Sequence, residues 1–347
     1  MQRYEHGGDI YGNPGVLLDF SVNTNPLGLP EVVRQALVNR ADEFTHYPDP
    51  LCRELCIKIA SYEELPVEWV LCGNGAADLI YRLCYALKPR RAMVCAPTFS
   101  EYERALKQAG AQVMYHMLEV EDEFDLTEEI LEKITRYTDI LFLCHPNNPT
   151  SRLISNTLME RIMHRVRQTG TLLVVDECFL DFTNGESAKS FLNAMPELCI
   201  IKAFTKIYAM AGLRLGYMLT SNRRILHKTR TTAQCWSVSV PAQIAGIAAL
   251  TCEGWQKKTL DLIEKERTYM SERLENLGIT VFPGEANYLL LRYELPLYNM
   301  LLEKGILIRT CYNFVGLDGS YYRIGIKKRN ENNRLIKAVE DCISQQR

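Results

Sequence analysis

Several apolar, strand-like runs are followed directly by polar residues that could bind a charged ligand and transfer protons. Asp176 comes directly after the run Thr171–Val175, Lys206 follows a later run, and Asn148 lies between two prolines just beyond Cys144. Ligands of open α/β sheets bind beyond the carboxyl ends of the strands, so these side chains are expected to meet at one edge. Taken singly, each also has an ordinary explanation: a solvated lysine, a satisfied acid, or simple turn chemistry.

A glycine-containing turn before a predicted helix could hold a phosphate through its backbone N–H groups. The segment Gly73-Asn74-Gly75-Ala76-Ala77-Asp78 follows the run that ends at Cys72. A helix N-terminus attracts anions because its first N–H groups have no partner within the helix. The segment matches neither the dinucleotide-binding GxGxxG pattern nor a P-loop, so by itself it is equally typical of an ordinary strand-to-helix turn.

Alternation of apolar runs with helical stretches predicts an α/β domain that would position these residues. Near-continuous apolar runs are typical of parallel strands covered on both faces, so a mainly parallel sheet between helices is expected. The predicted strands are Trp69–Cys72, Ala92–Ala96, Gln112–Met117, Ile140–Cys144, Thr171–Val175, Leu198–Ala203 and Gly216–Thr220. The predicted helices include Ala76–Leu87, Ser100–Gly110, Leu126–Thr135 and Ser155–Thr169.

A change of pattern after about Pro241 predicts a second, smaller α+β domain. A long helical run extends from Pro241 to Leu277, and short strand-like runs follow it. The first thirty or so residues fit neither pattern and are expected to wrap over the small domain and reach the site. We therefore predict an arm at 1–30, a large domain at 31–250 and a small domain at 251–347. The short runs are Thr280–Phe282, Tyr288–Arg292, Ile306–Arg309 and Tyr322–Ile326.

Composition narrows the class of protein. A chain of 347 residues exceeds a usual single core, which agrees with two domains. The 40 Lys and Arg against 42 Asp and Glu leave a net charge of −2, so charge gives no case for a nucleic-acid partner. The twelve cysteines form no CxxC pair and no metal-ligand spacing, which favours reduced buried thiols and no metal. No signal peptide or membrane-spanning run is present, so a cytoplasmic location is expected.

The segments GNG, PNNP, DE, TK and GLRLGY, in this order, resemble the fold-type I family of pyridoxal 5′-phosphate (PLP) enzymes. The resemblance is to its aminotransferase class I/II branch and extends over essentially the whole chain. It implies PLP as the cofactor, carried by Lys206, with Asp176 pairing with the pyridine nitrogen. It also implies that Asn148 contacts the ring hydroxyl and that Phe99 stacks on the ring. The chemistry agrees, because a buried carboxylate keeps the ring nitrogen protonated and the ring electron-withdrawing.

The same resemblance implies how the cofactor phosphate is held. The turn Gly75, Ala76 and Ala77, together with Thr205 and Arg214, would supply backbone N–H, hydroxyl and guanidinium donors, as a phosphate requires. Tyr47 resembles the tyrosine that reaches this phosphate from the neighbouring subunit. A homodimer is therefore implied.

Within the branch, the details are more similar to the threonine-phosphate decarboxylases of cobalamin biosynthesis than to the histidinol-phosphate aminotransferases. The opening His6-Gly7-Gly8-Asp9 carries most of this distinction. The resemblance implies a phosphorylated amino-acid substrate and a PLP-dependent lyase that acts on L-threonine O-3-phosphate. An aminotransferase for histidinol phosphate or another amino acid is the alternative. A non-catalytic binding protein on this fold is disfavoured by the intact set of cofactor residues.

Substrate contacts are implied at both ends of the chain. Arg323 and Asn23 would bind the substrate carboxylate, with Asn148 beside them. His6, Gly7 and Arg309 would approach either that carboxylate or the substrate phosphate, and the resemblance leaves the choice open. Each also has an ordinary explanation: a terminal histidine, a turn asparagine or a surface ion pair.

Two positions depart from the family pattern. Ser151 stands where glycine is usual after the PNNPT turn, which is expected to alter that turn. Ala203, three residues before Lys206, stands where Ser or Thr is usual. One phosphate hydrogen bond is then missing, at a cost of about 1 kcal/mol if nothing replaces it.

Overall fold

Strands and helices are defined over residues 6–345, the part of the chain that the structure, a computed structural model, describes. The strands are β1 (Leu18–Asp19), β2 (Val70–Gly73), β3 (Arg91–Ala96), β4 (Gln112–Met117), β5 (Ile140–Cys144), β6 (Leu172–Asp176), β7 (Leu198–Ala203), β8 (Gly216–Leu219), β9 (Thr280–Val281), β10 (Tyr288–Arg292), β11 (Ile306–Leu307), β12 (Arg309–Thr310) and β13 (Tyr321–Gly325). The α-helices are α1 (Glu31–Asn39), α2 (Arg53–Glu63), α3 (Ala76–Leu87), α4 (Glu101–Gln108), α5 (Ile130–Lys133), α6 (Asn156–Thr169), α7 (Phe204–Ile207), α8 (Arg223–Thr231), α9 (Val240–Ala249), α10 (Trp255–Glu275), α11 (Leu297–Glu303) and α12 (Arg329–Ser344).

A seven-stranded sheet forms the centre of the molecule, in the order β2-β8-β7-β6-β5-β3-β4. Only β8 runs antiparallel to its neighbours, β2 and β7, so the sheet is mainly parallel as predicted. Strands β5, β6 and β7 are buried along their whole length. Their carboxyl ends lie side by side, because Cys144 is in register with Asp176 and Asp176 with Ile201.

A second, antiparallel sheet in the order β12-β13-β10-β9 forms the C-terminal part of the protein. Helices α10 and α12 pack against each other beside it, and α10 also contacts β9 and β10. The N-terminal segment joins this region, because β1 pairs in parallel with β11 through Leu18 with Ile306 and Asp19 with Leu307. The division into an arm and two domains at residues 30 and 250 stays a prediction.

Three predicted elements differ from the structure. The helix predicted at Leu126–Thr135 is reduced to the single turn α5. The helical run predicted from Pro241 to Leu277 is two helices, since α9 ends at Ala249 and α10 begins only after Gly254, which has a left-handed φ of 67°. The run predicted at Ile306–Arg309 is divided, because β11 pairs with β1 whereas β12 pairs with β13. In the last case the pairing partner, rather than the local pattern, determines the strands.

The twelve cysteines are all free thiols, and ten of them are buried. Within residues 6–345 no helix is both long and apolar enough to span a bilayer. The same residues contain no cluster of three or more His, Cys, Asp or Glu side chains arranged to hold a metal ion.

Candidate active site

Lys206 and Asp176 lie at the carboxyl ends of adjacent strands, as the sequence predicts. Lys206 is in the short helix α7, which follows β7 directly, and Asp176 is the last residue of β6. Burial, together with the nearby charges of Arg323 and Arg214, lowers the pKa of the Lys206 amine to about 8. A lysine with such a pKa exchanges its proton readily near neutral pH.

Asp176 is a buried carboxylate with two donors. Its Oδ2 accepts a hydrogen bond from the Tyr102 hydroxyl at 2.6 Å, and its Oδ1 accepts one from the Cys178 backbone N–H at 2.9 Å. Burial raises the pKa of Asp176, whereas Cys178, Tyr102 and the charge of Lys206 act against that rise. The arrangement suits a carboxylate that must stay ionised beside a cationic ring nitrogen.

The glycine turn and Arg214 form an anion cradle at the start of α3. Gly75 is the residue before the helix, with a φ of 86°, and a Cβ placed on it would lie 2.8 Å from Arg214 Nη2. Gly216 is equally close to the turn, because a Cβ there would lie 2.7 Å from the backbone N of Ala76. Helix N–H groups and a guanidinium thus converge without an intervening side chain. The cradle fits the phosphate of PLP.

The other predicted phosphate contacts lie beside this cradle. Ala76 and Ala77 begin α3, and Thr205, in α7 next to Lys206, is buried. Ala203 ends β7 and contributes no side-chain donor, as its residue type dictates. Their contacts with the cofactor stay predictions.

Phe99 and Asn148 flank the same region. Phe99 lies just before α4 and contacts Tyr102 edge to face, with ring centroids 5.5 Å apart. Asn148 is buried, and its Oδ1 accepts a hydrogen bond from Arg323 Nη1 at 2.5 Å. This bond fixes the amide so that its Nδ2 is the donor available to a ring hydroxyl.

Arg323 and Asn23 form a buried group with unmet hydrogen-bonding capacity. Arg323 on β13 donates to Asn148 Oδ1 and, through Nη2, to the backbone carbonyl of Ser21 at 2.8 Å, both neutral acceptors. Within the described residues, Arg323 Nε and both amide atoms of Asn23 are buried without a hydrogen-bond partner. Such groups are costly unless a ligand or water completes them. An anionic group such as a carboxylate would do so.

Arg309 adds a second guanidinium on the neighbouring strand. Its Cα is in register with that of Arg323, and both side chains are buried. Arg309 donates to the Thr310 carbonyl at 2.6 Å and to Asn313 Oδ1 at 2.7 Å. Burial, and then the charge of Arg309, lower the pKa of Arg323 to about 10. Two cations held this close favour an anion between or beside them.

The N-terminal segment lies against Ser21, whose carbonyl accepts a hydrogen bond from Arg323. His6 Nε2 is 2.8 Å from Glu101 Oε1, and its ring centroid is 6.0 Å from that of Phe99. Gly7 packs on the backbone of Ser21, where any larger side chain would overlap the Ser21 carbonyl. The backbone N–H of Gly8 donates to Ser21 Oγ at 2.7 Å.

Tyr47 lies on the molecular surface. Its side chain is 78% exposed and stacks on Trp236 with ring centroids 4.4 Å apart. Its contact with the phosphate site of a neighbouring subunit stays a prediction.

Ser151 joins two segments of the site. It adopts a left-handed φ of 64°, a conformation that favours glycine. Its Oγ accepts a hydrogen bond from the backbone N–H of Ala286 at 2.7 Å, and its carbonyl accepts one from Glu285 N at 2.8 Å. The side chain that departs from the family pattern therefore ties the PNNPT turn to the segment before β10.

Three residues at the site were missed by sequence reasoning. Tyr102 holds Asp176, and its position three residues after Phe99 at the start of a helix was a usable signal. Asn287 donates to the Asn23 carbonyl at 3.0 Å, and its Oδ1 is buried without a partner among the described residues. Glu101 binds His6. Asn287 and Glu101 carry no local sequence signal, because their partners are far away in the chain.

Comparison with known proteins agrees with this geometry. The family model for aminotransferase class I and II matches residues 16–339. The threonine-phosphate decarboxylase of Salmonella typhimurium is 39% identical over 98% of this chain and 96% of its own length. A histidinol-phosphate aminotransferase structure from Clostridium acetobutylicum has a TM-score of 0.89 at 30% identity, covering 95% of this chain and 100% of its own. An L-threonine-O-3-phosphate decarboxylase structure from Porphyromonas gingivalis has a TM-score of 0.86 at 25% identity, covering 94% and 100%.

Proposed function

The chain belongs to the aminotransferase class I and II family, and on that premise we propose that it decarboxylates L-threonine O-3-phosphate. The product is 1-amino-2-propanol O-phosphate, in a reaction that we assign to cobalamin biosynthesis. Support comes from the relative with this activity in its name, which is 39% identical over nearly the full length of both chains. The geometry that carries the proposal is the pair of buried guanidiniums, Arg309 and Arg323, since the substrate has two anionic groups.

The cofactor is pyridoxal 5′-phosphate. When bound, it supplies a pyridinium ring that takes up the electron pair left on Cα as CO2 departs. The cradle of Gly75 and Arg214 is proposed to hold its phosphate, and Asp176 its ring nitrogen. Lys206 is proposed as the residue that carries it, and Phe99 and Asn148 as its ring contacts.

The chain's own residues then orient the substrate and move the proton. Arg323 and Asn23 are proposed to hold the substrate carboxylate through their buried, unmet hydrogen-bonding atoms. Arg309, with His6 and Gly7 of the N-terminal segment, is proposed to lie beside the substrate phosphate. Lys206 returns a proton to Cα once CO2 has left, which its pKa of about 8 permits near neutral pH.

Transamination is the alternative reaction on the same scaffold. A histidinol-phosphate aminotransferase structure is similar over almost the whole chain, at 30% identity. Both reactions need the same cofactor residues and an anion site. They differ in which bond on Cα is cleaved, so the choice is made by product analysis.

A homodimer is part of the proposal. Tyr47 is 78% exposed and stacked on Trp236, so its hydroxyl is free to approach a second copy of the chain. We assign it to the phosphate site of the neighbouring subunit. Tyr47→Phe is then expected to weaken PLP binding in the dimer.

The reaction is tested with purified holoenzyme and threonine O-3-phosphate, following CO2 and the amine product. Stoichiometric CO2 without a keto-acid acceptor, reduced to background in Lys206→Ala, is the expected result. Conversion of 2-oxoglutarate to glutamate without CO2 release would instead assign the protein to the aminotransferases.

A further inference from the structure

The carboxylate of Glu101 is contacted by three donor side chains from different parts of the chain. It is the first residue of α4, and its side chain is 12% exposed. Its Oε1 is bound by His6 Nε2 at 2.8 Å and Arg104 Nη1 at 3.1 Å, and its Oε2 accepts from the Tyr81 hydroxyl at 2.7 Å. The contact with His6 links residues 95 positions apart, which a helix-start acid does not need for its own helix.

The backbone conformation of the N-terminal segment places His6 beside the carboxylate of Glu101. Gly7 lies so close to Ser21 that no side chain fits there, and Gly8 has a left-handed φ of 91°. Ser21 in turn accepts from Gly8 N and, through its carbonyl, from Arg323 Nη2. The segment is thereby fixed at one end to the anion site and at the other to Glu101.

Electrostatics favour the contact. The hydrogen bond from His6, together with that from Tyr81 and the charges of His6 and Arg104, lowers the pKa of Glu101 to about 2 against the opposing effect of burial. Glu101 is therefore an anion throughout the physiological range. A carboxylate held in this way orients the imidazole that it contacts.

We propose that Glu101 is a positioning residue: with Tyr81, it holds His6 beside Phe99 so that the N-terminal segment completes the substrate's anion site. We call the contacts of Glu101 with His6 and Tyr81 the latch. The inference takes its substrate from the proposed function, but the latch itself is formed only by residues between 6 and 101. Glu101 acts through His6 and does not touch the reacting atoms. Its loss therefore weakens substrate binding more than turnover.

Kinetics of holoenzyme with threonine O-3-phosphate give the first test. Glu101→Gln keeps the size of the side chain and removes its charge, so KM is expected to rise about tenfold or more, the effect of losing one charge-assisted interaction, while kcat changes little. Tyr81→Phe should raise KM in the same direction by a smaller factor. Glu103→Gln, on the same helix but bonded to Lys107, is the matched control and should behave as wild type. An unchanged KM in Glu101→Gln, or a fall in kcat alone, would overturn the proposal.

A double-mutant cycle tests whether Glu101 works through His6. His6→Ala should raise KM about as much as Glu101→Gln, and the double variant should be no worse than His6→Ala. If the increases in KM of the two single variants multiply in the double variant, the two residues act independently and the latch is refuted.

Hydrogen–deuterium exchange separates a failure of the latch from a failure of the proposed reaction. In holoenzyme without substrate, amides of residues 7–22 are expected to exchange several-fold faster in Glu101→Gln than in wild type or Glu103→Gln. This result would support the latch even if no CO2 were released from threonine O-3-phosphate. Equal exchange in all three proteins would overturn it whatever the reaction.

Discussion

Asp176 is kept ionised by hydrogen bonds from Tyr102 and Cys178 and by the charge of Lys206. Burial raises its pKa, and the donors Cys178 and Tyr102 oppose that rise. The Cys178 donor is a backbone N–H and follows from the turn, whereas Tyr102 is a side chain whose ring also stacks on Phe142, with centroids 5.2 Å apart. Removal of the Tyr102 hydroxyl alone would therefore keep the ring packing unchanged and alter only the electrostatic environment of Asp176.

Tyr102→Phe is predicted to move the acid limb of the kcat profile to higher pH. Without the hydroxyl, the pKa of Asp176 rises, so the carboxylate is protonated at a higher pH and the ring nitrogen loses its partner sooner as pH falls. At neutral pH we expect kcat to fall about tenfold, equivalent to about 1.4 kcal/mol. The measurement is kcat against pH for holoenzyme, with Tyr137→Phe on the surface as control. An acid limb at the wild-type position would contradict the role of Tyr102.

Gly75 offers a matched test of the phosphate cradle. Gly75→Ala is predicted to weaken PLP binding at least tenfold, because the added Cβ would lie 2.8 Å from Arg214 Nη2 and displace the guanidinium. Gly110→Ala is the control for adding a side chain at a positive φ: its φ is 88°, and nothing lies within 4 Å of the new Cβ. Titration of apoenzyme with PLP gives both dissociation constants. If PLP binding is weakened equally in the two variants, the effect comes from a side chain at positive φ and not from the contact with Arg214.

Between elements, Ser151 fastens the turn after β5 to the segment that leads into β10. Ser151→Ala is predicted to lower the free energy of unfolding by about 1 to 2 kcal/mol, because the buried N–H of Ala286 loses its acceptor. Ser151→Gly loses the same bond but relieves the left-handed φ of 64°, so its stability should lie between those of wild type and Ser151→Ala. Denaturant unfolding of the three holoenzymes measures the order of their stabilities. A glycine variant less stable than the alanine variant would contradict this account.

The elements that the sequence predicts well are those whose partners repeat the same pattern. Strands β5 and β7 have the predicted bounds, and both are short, wholly buried runs of the kind typical of a parallel sheet covered on both faces. The run at Ile306–Arg309 was predicted as one strand, but the chain changes partner at Ile308. Periodicity carries no information about which strand lies alongside.

The candidate site shows the same limit. Lys206 and Asp176 could be found because each lies at the end of a strand-like run within an ordered set of motifs that resembles a known family, and the sheet brings strand ends together. Glu101 and Asn287 could not, because they matter through His6 and Asn23, contacts that span 95 and 264 positions. A polar residue whose partner is distant resembles any surface residue in the sequence. Only the packing of the N-terminal segment identifies it.

Across the whole molecule, charged side chains are buried beneath the strands that carry the site. Glu63 at the end of α2 accepts from Lys202 Nζ at 2.8 Å and from the Tyr217 hydroxyl. Glu177, which follows Asp176, accepts from Ser187 Oγ at 2.7 Å and from Ala188 N at 2.8 Å. Burial raises the pKa of Glu177 to about 7, against the opposing charge of Lys202. The charges of Asp181, Glu63 and Glu177 all act on Lys202. Lys189 Nζ also lies 3.1 Å from Glu63 Oε2, so three carboxylates are placed around two lysines.

Glu177 should make the stability of the protein fall as pH rises toward neutrality. Its pKa is about 7 in the folded protein and about 4.3 in an unfolded chain, so the folded state binds more protons between these values. The stabilisation is complete below the unfolded pKa and is lost as pH rises through the folded one. Glu177→Gln keeps an acceptor for Ala188 N–H but cannot ionise, so it is predicted to gain stability over wild type from pH 5 to pH 8. The gain should be on the order of 1 to 3 kcal/mol.

Thermal unfolding of the two holoenzymes at pH 5 and pH 8, with PLP in fixed excess, measures this difference. Glu186→Gln is the control, since that side chain is exposed and nine positions away. Common contributions from other titrating groups cancel in the comparison of each variant with wild type at the same pH. A difference between Glu177→Gln and wild type that is the same at both pH values would mean that Glu177 is ionised throughout. The negative charges of Glu177 and Glu63 would then be balanced by Lys202 and Lys189.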